Sequence, residues 1–144
     1  MSYEGGVVPG RAWSGPTQGT QRRVLFLDRD GVINVNHGYV HTPEATEWVP
    51  GIFELCTAAG NAGYGLVVVT NQAGIARGYY DRERFEAYTR WMDDQFAARG
   101  LALLATYYCP HHPQAGVGAG RLECNCRKPR PGMLLQAAED LGID

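Results

Sequence analysis

Three groups of residues in this 144-residue chain have the types and spacing that chemistry requires. The first is Asp28-Arg29-Asp30-Gly31, two carboxylates separated by one residue and followed by a glycine that lets the chain turn. Carboxylates held this close repel each other unless a cation lies between them, and magnesium suits carboxylate, carbonyl and water ligands. Second comes Lys128, the one lysine in a chain that carries twelve arginines, so a compact ammonium is not its default cation. The third group is Cys109, His111, Cys124 and Cys126, two close pairs separated by a loop. Together they form a full tetrahedral donor set for structural zinc, with His112 as the alternative to His111. Four protein ligands leave no open coordination position. Such an ion would brace a loop poor in apolar residues and fix Arg127 and Lys128 in place.

Ordinary turns also favour Asp and Gly, so the carboxylate pair by itself does not decide between a site and a solvated turn. A calcium-binding loop starting at Asp28 is excluded. Its fifth, sixth and twelfth positions would be Val32, Ile33 and Tyr39, where an oxygen ligand, glycine and glutamate are needed.

The elements that must position these groups follow from apolar patterning. Val24-Leu25-Phe26-Leu27 is apolar on both faces, as a central parallel strand is, and it ends at Asp28. Gly65 to Thr70 and Leu103 to Tyr108 repeat the pattern. Between and after them lie three helical segments. One opens at Pro50 with Ile52, Leu55, Cys56 and Ala59 on its inner face; Cys56 is read as a core residue. The next, capped by Asp81 and stopped by Gly100, carries Phe85, Tyr88, Met92 and Phe96. The last runs from Pro131 to Gly142 with Leu134, Ala138 and Leu141 inward. Strands alternating with helices predict an α/β fold with a parallel sheet covered on both faces. Reactive groups in such sheets gather beyond the carboxyl ends of the strands, where Asp28, Thr70-Asn71 and Tyr108-Cys109 stand.

Composition narrows the function classes. A formal charge of −2 gives no general attraction for nucleic acid or an anionic membrane. No apolar run approaches the ~20 residues that span a bilayer, and the start of the chain lacks a signal peptide's basic and apolar parts. A cytoplasmic protein is expected. Residues 1–22, rich in Gly, Ser, Pro and Thr, read as a disordered or extended tail, and 23–144 as one domain.

Phe26-Leu27-Asp28-Arg29-Asp30-Gly31-Val32-Ile33-Asn34 resembles the first motif of the haloacid-dehalogenase (HAD) superfamily. Val67-Val68-Val69-Thr70-Asn71-Gln72 is similar to its second motif and Arg127-Lys128-Pro129 to its third. The resemblance implies a three-layer Rossmann-like core and a magnesium-dependent phosphatase. Asp28 would attack phosphorus, Asp30 would carry the proton, Thr70 would hold the transferring phosphoryl group and Lys128 would neutralise it. Magnesium would sit at Asp28 and Asp30.

Within the superfamily the zinc loop resembles a capless group. His37 to His41, Asn71 to Gly78, Cys109 to Gln114 and Arg127 to Leu134 look more like its heptose-bisphosphate phosphatases than its histidinol-phosphate phosphatases. The long insert from Gln114 to Glu123 points the same way. That implies a small phosphosugar substrate, dephosphorylated at its 7-position. Asn36, His37, Gly38, Tyr39, Asn71, Gln72, Ala73 and Arg127 would touch it. Asn36 and Ala73 depart from the group's pattern, standing where an acid and a serine are usual. A zinc-braced module that binds phosphosugars without catalysis is the competing reading. In this family a further strand and an acidic motif follow the position of Asp144. The chain as given is therefore expected to lack its last strands, to leave Val24–Leu27 as an apolar sheet edge, and to be weakly active or inactive alone.

Overall fold

The computed structural model describes residues 3–12, 23–112, 116, 118–120, 124, 126–128 and 130–143. Its sheet contains β1 (Gly6–Pro9), β2 (Val24–Leu27), β3 (Gly65–Asn71) and β4 (Leu103–Cys109), in the order β1-β4-β3-β2. β2, β3 and β4 are parallel, as their uninterrupted apolar runs predict, but β1 pairs antiparallel with β4. The sheet is therefore mixed, and β2 forms its other side.

Helix α1 (Ile52–Asn61) joins β2 to β3, and α3 (Arg82–Ala97) joins β3 to β4. Alternation along β3 separates two cores. Leu66 and Val68 meet Ile52 and Cys56 of α1 and Tyr88, Met92 and Phe96 of α3. Val67 and Val69 instead meet Met133 and Ala137 of α4 (Gly132–Leu141). The result is the expected three-layer α/β arrangement. α3 begins where Asp81 accepts a hydrogen bond from the Arg84 amide, which satisfies a first-turn donor. Among the described residues no helix is long and apolar enough to cross a membrane.

Two local expectations need correction. Leu55 faces solvent on α1 while Ile52 and Cys56 are buried. On α4 the inward positions are Met133 and Ala137 with Leu141 beside them, whereas Leu134 is exposed. Met133-Leu134-Leu135 is a continuous apolar run, so periodicity alone cannot choose which of the three faces the sheet.

The amino-terminal stretch, expected to be a disordered or extended tail, holds the extended strand β1; residues 13–22 lie outside the described residues. The glycines that suggested disorder are needed for close approach. A side chain at Gly6 would collide with the Tyr108 ring, and one at Gly10 with the Leu103 carbonyl. Tyr3 adds a tether: its hydroxyl donates to the carbonyls of Gly6 (3.0 Å) and Tyr108 (3.2 Å).

Candidate active site

Strand register brings the chemistry together. Leu27 pairs with Val68 and Thr70 with Tyr108, so Asp28, Thr70 and Cys109 all emerge at one end of the sheet. Beyond Asp28 the chain hooks back at Gly31, which takes φ +90°, a conformation glycine adopts without Cβ strain. The amides of Val32, Ile33 and Asn34 all close on the Arg29 carbonyl. Ile33 is fully buried beneath this hook and anchors it to the core.

The lone lysine lies where its charge is useful. Lys128 Nζ is 2.8 Å from Asp28 Oδ2 and also donates to the Val69 carbonyl at 3.2 Å. Asn71 holds the backbone of the same residue: its Oδ1 accepts from the Lys128 amide at 2.9 Å, and its Nδ2 donates to the Lys128 carbonyl at 3.4 Å. Asp28 Oδ1 accepts from the Arg29 amide at 2.8 Å. Its side chain remains 45% exposed, so the carboxylate faces open space rather than the core.

Asp30 is held differently. Its Oδ1 accepts from Arg29 Nη2 (2.9 Å), Arg29 Nε (3.3 Å) and Asn34 Nδ2 (3.0 Å), and its Oδ2 accepts from Gln72 Nε2 (3.2 Å). Arg29 itself is buried, donates to the Val40 carbonyl at 2.6 Å and lies over the rings of Tyr88 and Phe85. Nothing in residue type or spacing pointed to Arg29, Asn34 or Tyr80, because their roles arise only from folding. The single available signal was an arginine lodged between two aspartates.

Around these groups lies a cleft of about 470 Å³, lined by Asp28, Asp30, Asn36, Gly38, Tyr39, Asn71, Gln72, Ala73, Tyr80, Arg127 and Lys128. Most of the expected substrate-contact residues therefore share one space. His37 is turned to Glu47, 3.3 Å away. Thr70 is buried, with its Oγ1 accepting from Gln72 Nε2 at 2.8 Å. The loop carrying Asn36 is shaped by a 3.0 Å bond from the Gly38 amide to Asn36 Oδ1, and Tyr39 takes a left-handed φ of +53°.

Where β4 ends, Cys109, His111, Cys124 and Cys126 converge, all buried, with their ligand atoms within 4.8 Å of one another. Sulfur separations are 2.8 Å (Cys109–Cys126), 3.1 Å (Cys124–Cys126) and 3.2 Å (Cys109–Cys124), and His111 Nδ1 is 3.6 Å from Cys126 Sγ. His111, not His112, joins the cluster. A hydrogen bond from Cys126 pulls the Cys109 thiol below its ordinary range, and the same bond pushes Cys126 up. A thiolate is the form that binds metal, so this soft, tetrahedral-type donor set fits zinc. Because Cys126 immediately precedes Arg127 and Lys128, ordering the cluster also orders the cation facing Asp28.

No family model matches the chain. Over 120 residues it is 53% identical to the D-glycero-β-D-manno-heptose-1,7-bisphosphate 7-phosphatase of Vibrio cholerae, covering 83% of this chain and 64% of that one. A HAD-like phosphatase from Mesorhizobium loti superposes with a TM-score of 0.87 at 33% identity, over 100% of this chain and 68% of its own. The chain belongs to the HAD-like phosphatases. A second HAD-like relative, the D,D-heptose 1,7-bisphosphate phosphatase of B. bronchiseptica solved with magnesium and phosphate, gives a TM-score of 0.72 at 33% identity. That match covers 85% of this chain and 65% of the other. The chain thus spans slightly less than two thirds of the curated relatives it matches.

Proposed function

We propose that this HAD-like chain carries the catalytic face of a phosphomonoester hydrolase. It would remove the 7-phosphate of D-glycero-D-manno-heptose 1,7-bisphosphate on the route to lipopolysaccharide and nucleotide-heptose precursors. The observation that supports this reading best is the Asp28–Lys128 pair at 2.8 Å, with Asp30 beside it and one cleft in front of them. A solvent-exposed carboxylate against an ammonium is a nucleophile next to a phosphate-neutralising charge.

Phosphoryl transfer needs positioning and charge neutralisation more than covalent work. A carboxylate oxygen of Asp28 bonds to phosphorus as the bond from phosphorus to the sugar oxygen breaks, giving an aspartyl-phosphate. Asp30 delivers its proton to the departing alkoxide. It then takes a proton from the water that attacks phosphorus, and the bond to Asp28 breaks to release inorganic phosphate. Lys128 balances the charge on the phosphoryl oxygens, and Thr70 offers its hydroxyl to one of them. The donor chemistry at the tip of β2 fits magnesium, held by the Asp28 carboxylate and the main-chain carbonyl of Asp30, since the Asp30 carboxylate oxygens already accept N–H bonds. The ion would supply further neutralisation of the phosphate. Zinc at Cys109, His111, Cys124 and Cys126 would be structural.

Asn36, Gly38, Tyr39, Ala73 and Arg127 are the proposed sugar-facing contacts, with His37, Asn71 and Gln72 supporting them. The reading places the enzyme in the cytoplasm, with a small phosphosugar as its partner and neither nucleic acid nor membrane. Phosphate release from heptose bisphosphate and from histidinol phosphate, each with and without magnesium, tests it. Heptose bisphosphate should be preferred, magnesium should be required, and an acid-stable phosphoenzyme should vanish in Asp28→Asn. Binding of the sugar phosphate without any phosphate release would favour a non-catalytic module instead.

A further inference from the structure

Gln72 is 2% exposed and every polar atom of its side chain is engaged. Its two amide hydrogens go to Thr70 Oγ1 (2.8 Å) and Asp30 Oδ2 (3.2 Å), and its Oε1 accepts from the Tyr80 hydroxyl at 2.5 Å. A primary amide can sit either way round, and only its partners decide which end faces which neighbour. Here the partner that decides is Tyr80.

The Tyr80 ring is packed closely by two neighbours. One side stacks on His41, with centroids 4.4 Å apart and planes 16° from parallel. Gly74 also lies so close that any side chain there would overlap the ring. Burial raises the Tyr80 hydroxyl to about 12, so it stays protonated and able to donate throughout the working range of an enzyme.

We propose that Tyr80 is a positioning residue for the phosphatase reaction: through Gln72 it fixes the proton-carrying oxygen of Asp30 and the donor direction of the Thr70 hydroxyl. Arg29 and Asn34 already occupy Asp30 Oδ1 with three N–H contacts, so Oδ2 is left to exchange the proton. Gln72 Nε2 meets that oxygen and also fills a lone pair of Thr70 Oγ1, which turns the threonine proton outward. Among the described residues the only other bond of that hydroxyl is a long one, 3.4 Å to the Asn71 carbonyl. Without the Tyr80 hydroxyl, Gln72 Oε1 would be buried and unpartnered. The amide would regain a partner by rotating, which takes the Thr70 proton inward and sets an oxygen against Asp30.

The inference rests on the phosphatase reading, and its test separates the two. Tyr80→Phe keeps the stack on His41 and removes one hydroxyl. Specificity constants are compared on a sugar phosphate, whose alkoxide needs a proton to leave, and on p-nitrophenyl phosphate, whose phenolate does not. Tyr80→Phe should lower kcat/KM about tenfold more on the sugar phosphate than on the aryl ester, with KM little changed. In a Gln72→Met background it should add no further change to that ratio, because it acts through Gln72. Equal losses on both esters, or the same extra loss in the Gln72→Met background, would overturn the positioning role. Wild-type protein that released phosphate from neither ester would overturn the phosphatase reading, and this role with it.

Discussion

Asp93 lies on α3 with only 7% of its surface exposed, and its Oδ1 has no hydrogen-bond partner among the described residues. Burial raises its carboxyl to about 7 from an ordinary 3.8. Asp94 adds to the rise, while Arg11, arriving after β1, and Arg90 oppose it. The consequence for stability has a definite sign. Between about pH 4 and pH 7 the unfolded chain has released this proton and the folded protein keeps it, so stability falls as pH rises and levels off above 7. Each unit of difference is worth about 1.4 kcal/mol, so some three units limit the effect to about 4 kcal/mol. From pH 5 to pH 8 the expected loss is about 3 kcal/mol. Asp93→Asn keeps the shape and abolishes the titration. Denaturation by urea or heat at several pH values should therefore give wild-type and variant stabilities that diverge upward in pH, with the variant ahead at pH 8 by several degrees in Tm. Parallel curves from pH 5 to pH 8 would refute the reasoning, because they would mean the carboxylate is hydrated or paired when folded.

Two further outcomes follow from the geometry. Purified protein should contain about one zinc per chain, and its removal by a strong chelator should lower Tm and raise protease sensitivity around Arg127 and Lys128; a metal-free protein of unchanged stability would contradict the structural role of the cysteine cluster. Gly10→Ala should push β1 off β4, since the new methyl meets the Leu103 carbonyl. The cost should be on the order of 1–3 kcal/mol, and amide exchange along Leu103 to Cys109 should accelerate. Unchanged protection there would show that the strand is held without the close fit.

Much of the framework was legible because burial on both faces leaves an unmistakable mark. Val24–Leu27, Leu66 to Val69 and Leu103 to Ala105 are apolar at consecutive positions, and a polar residue (Asp28, Thr70 and Thr106) follows each run. A surface strand lacks that mark. β1 alternates only over Gly6–Pro9 and depends on β4 for its backbone partners, so its glycines resemble those of a linker until Tyr108 and Leu103 are seen against them. For the same reason the turn of α4 was misread: with Met133, Leu134 and Leu135 all apolar, the sheet and not the helix selects the buried one.

The site divides along similar lines. Residues that act through unusual chemistry were visible: a carboxylate pair at a strand tip, a lone lysine, three cysteines near a histidine. The residues that hold them were not. Asn71 and Gln72 line the cleft, and in addition Asn71 grips the backbone of Lys128 while the Gln72 side chain is wholly engaged with Asp30, Thr70 and Tyr80. Arg29 is buried, a place an arginine reaches only if its charge is matched, and Asp30 with the Val40 carbonyl supplies the match. Such partners come from the hook after β2, from the start of α2 (Ala73–Ala76) and from the segment before α3, which meet only when the sheet is assembled. An unpaired Arg29 or Gln72 would be costly in the folded interior, so the network that orients Asp30 also penalises any fold that fails to assemble it. Catalytic geometry and structural specificity are here two consequences of the same buried hydrogen bonds.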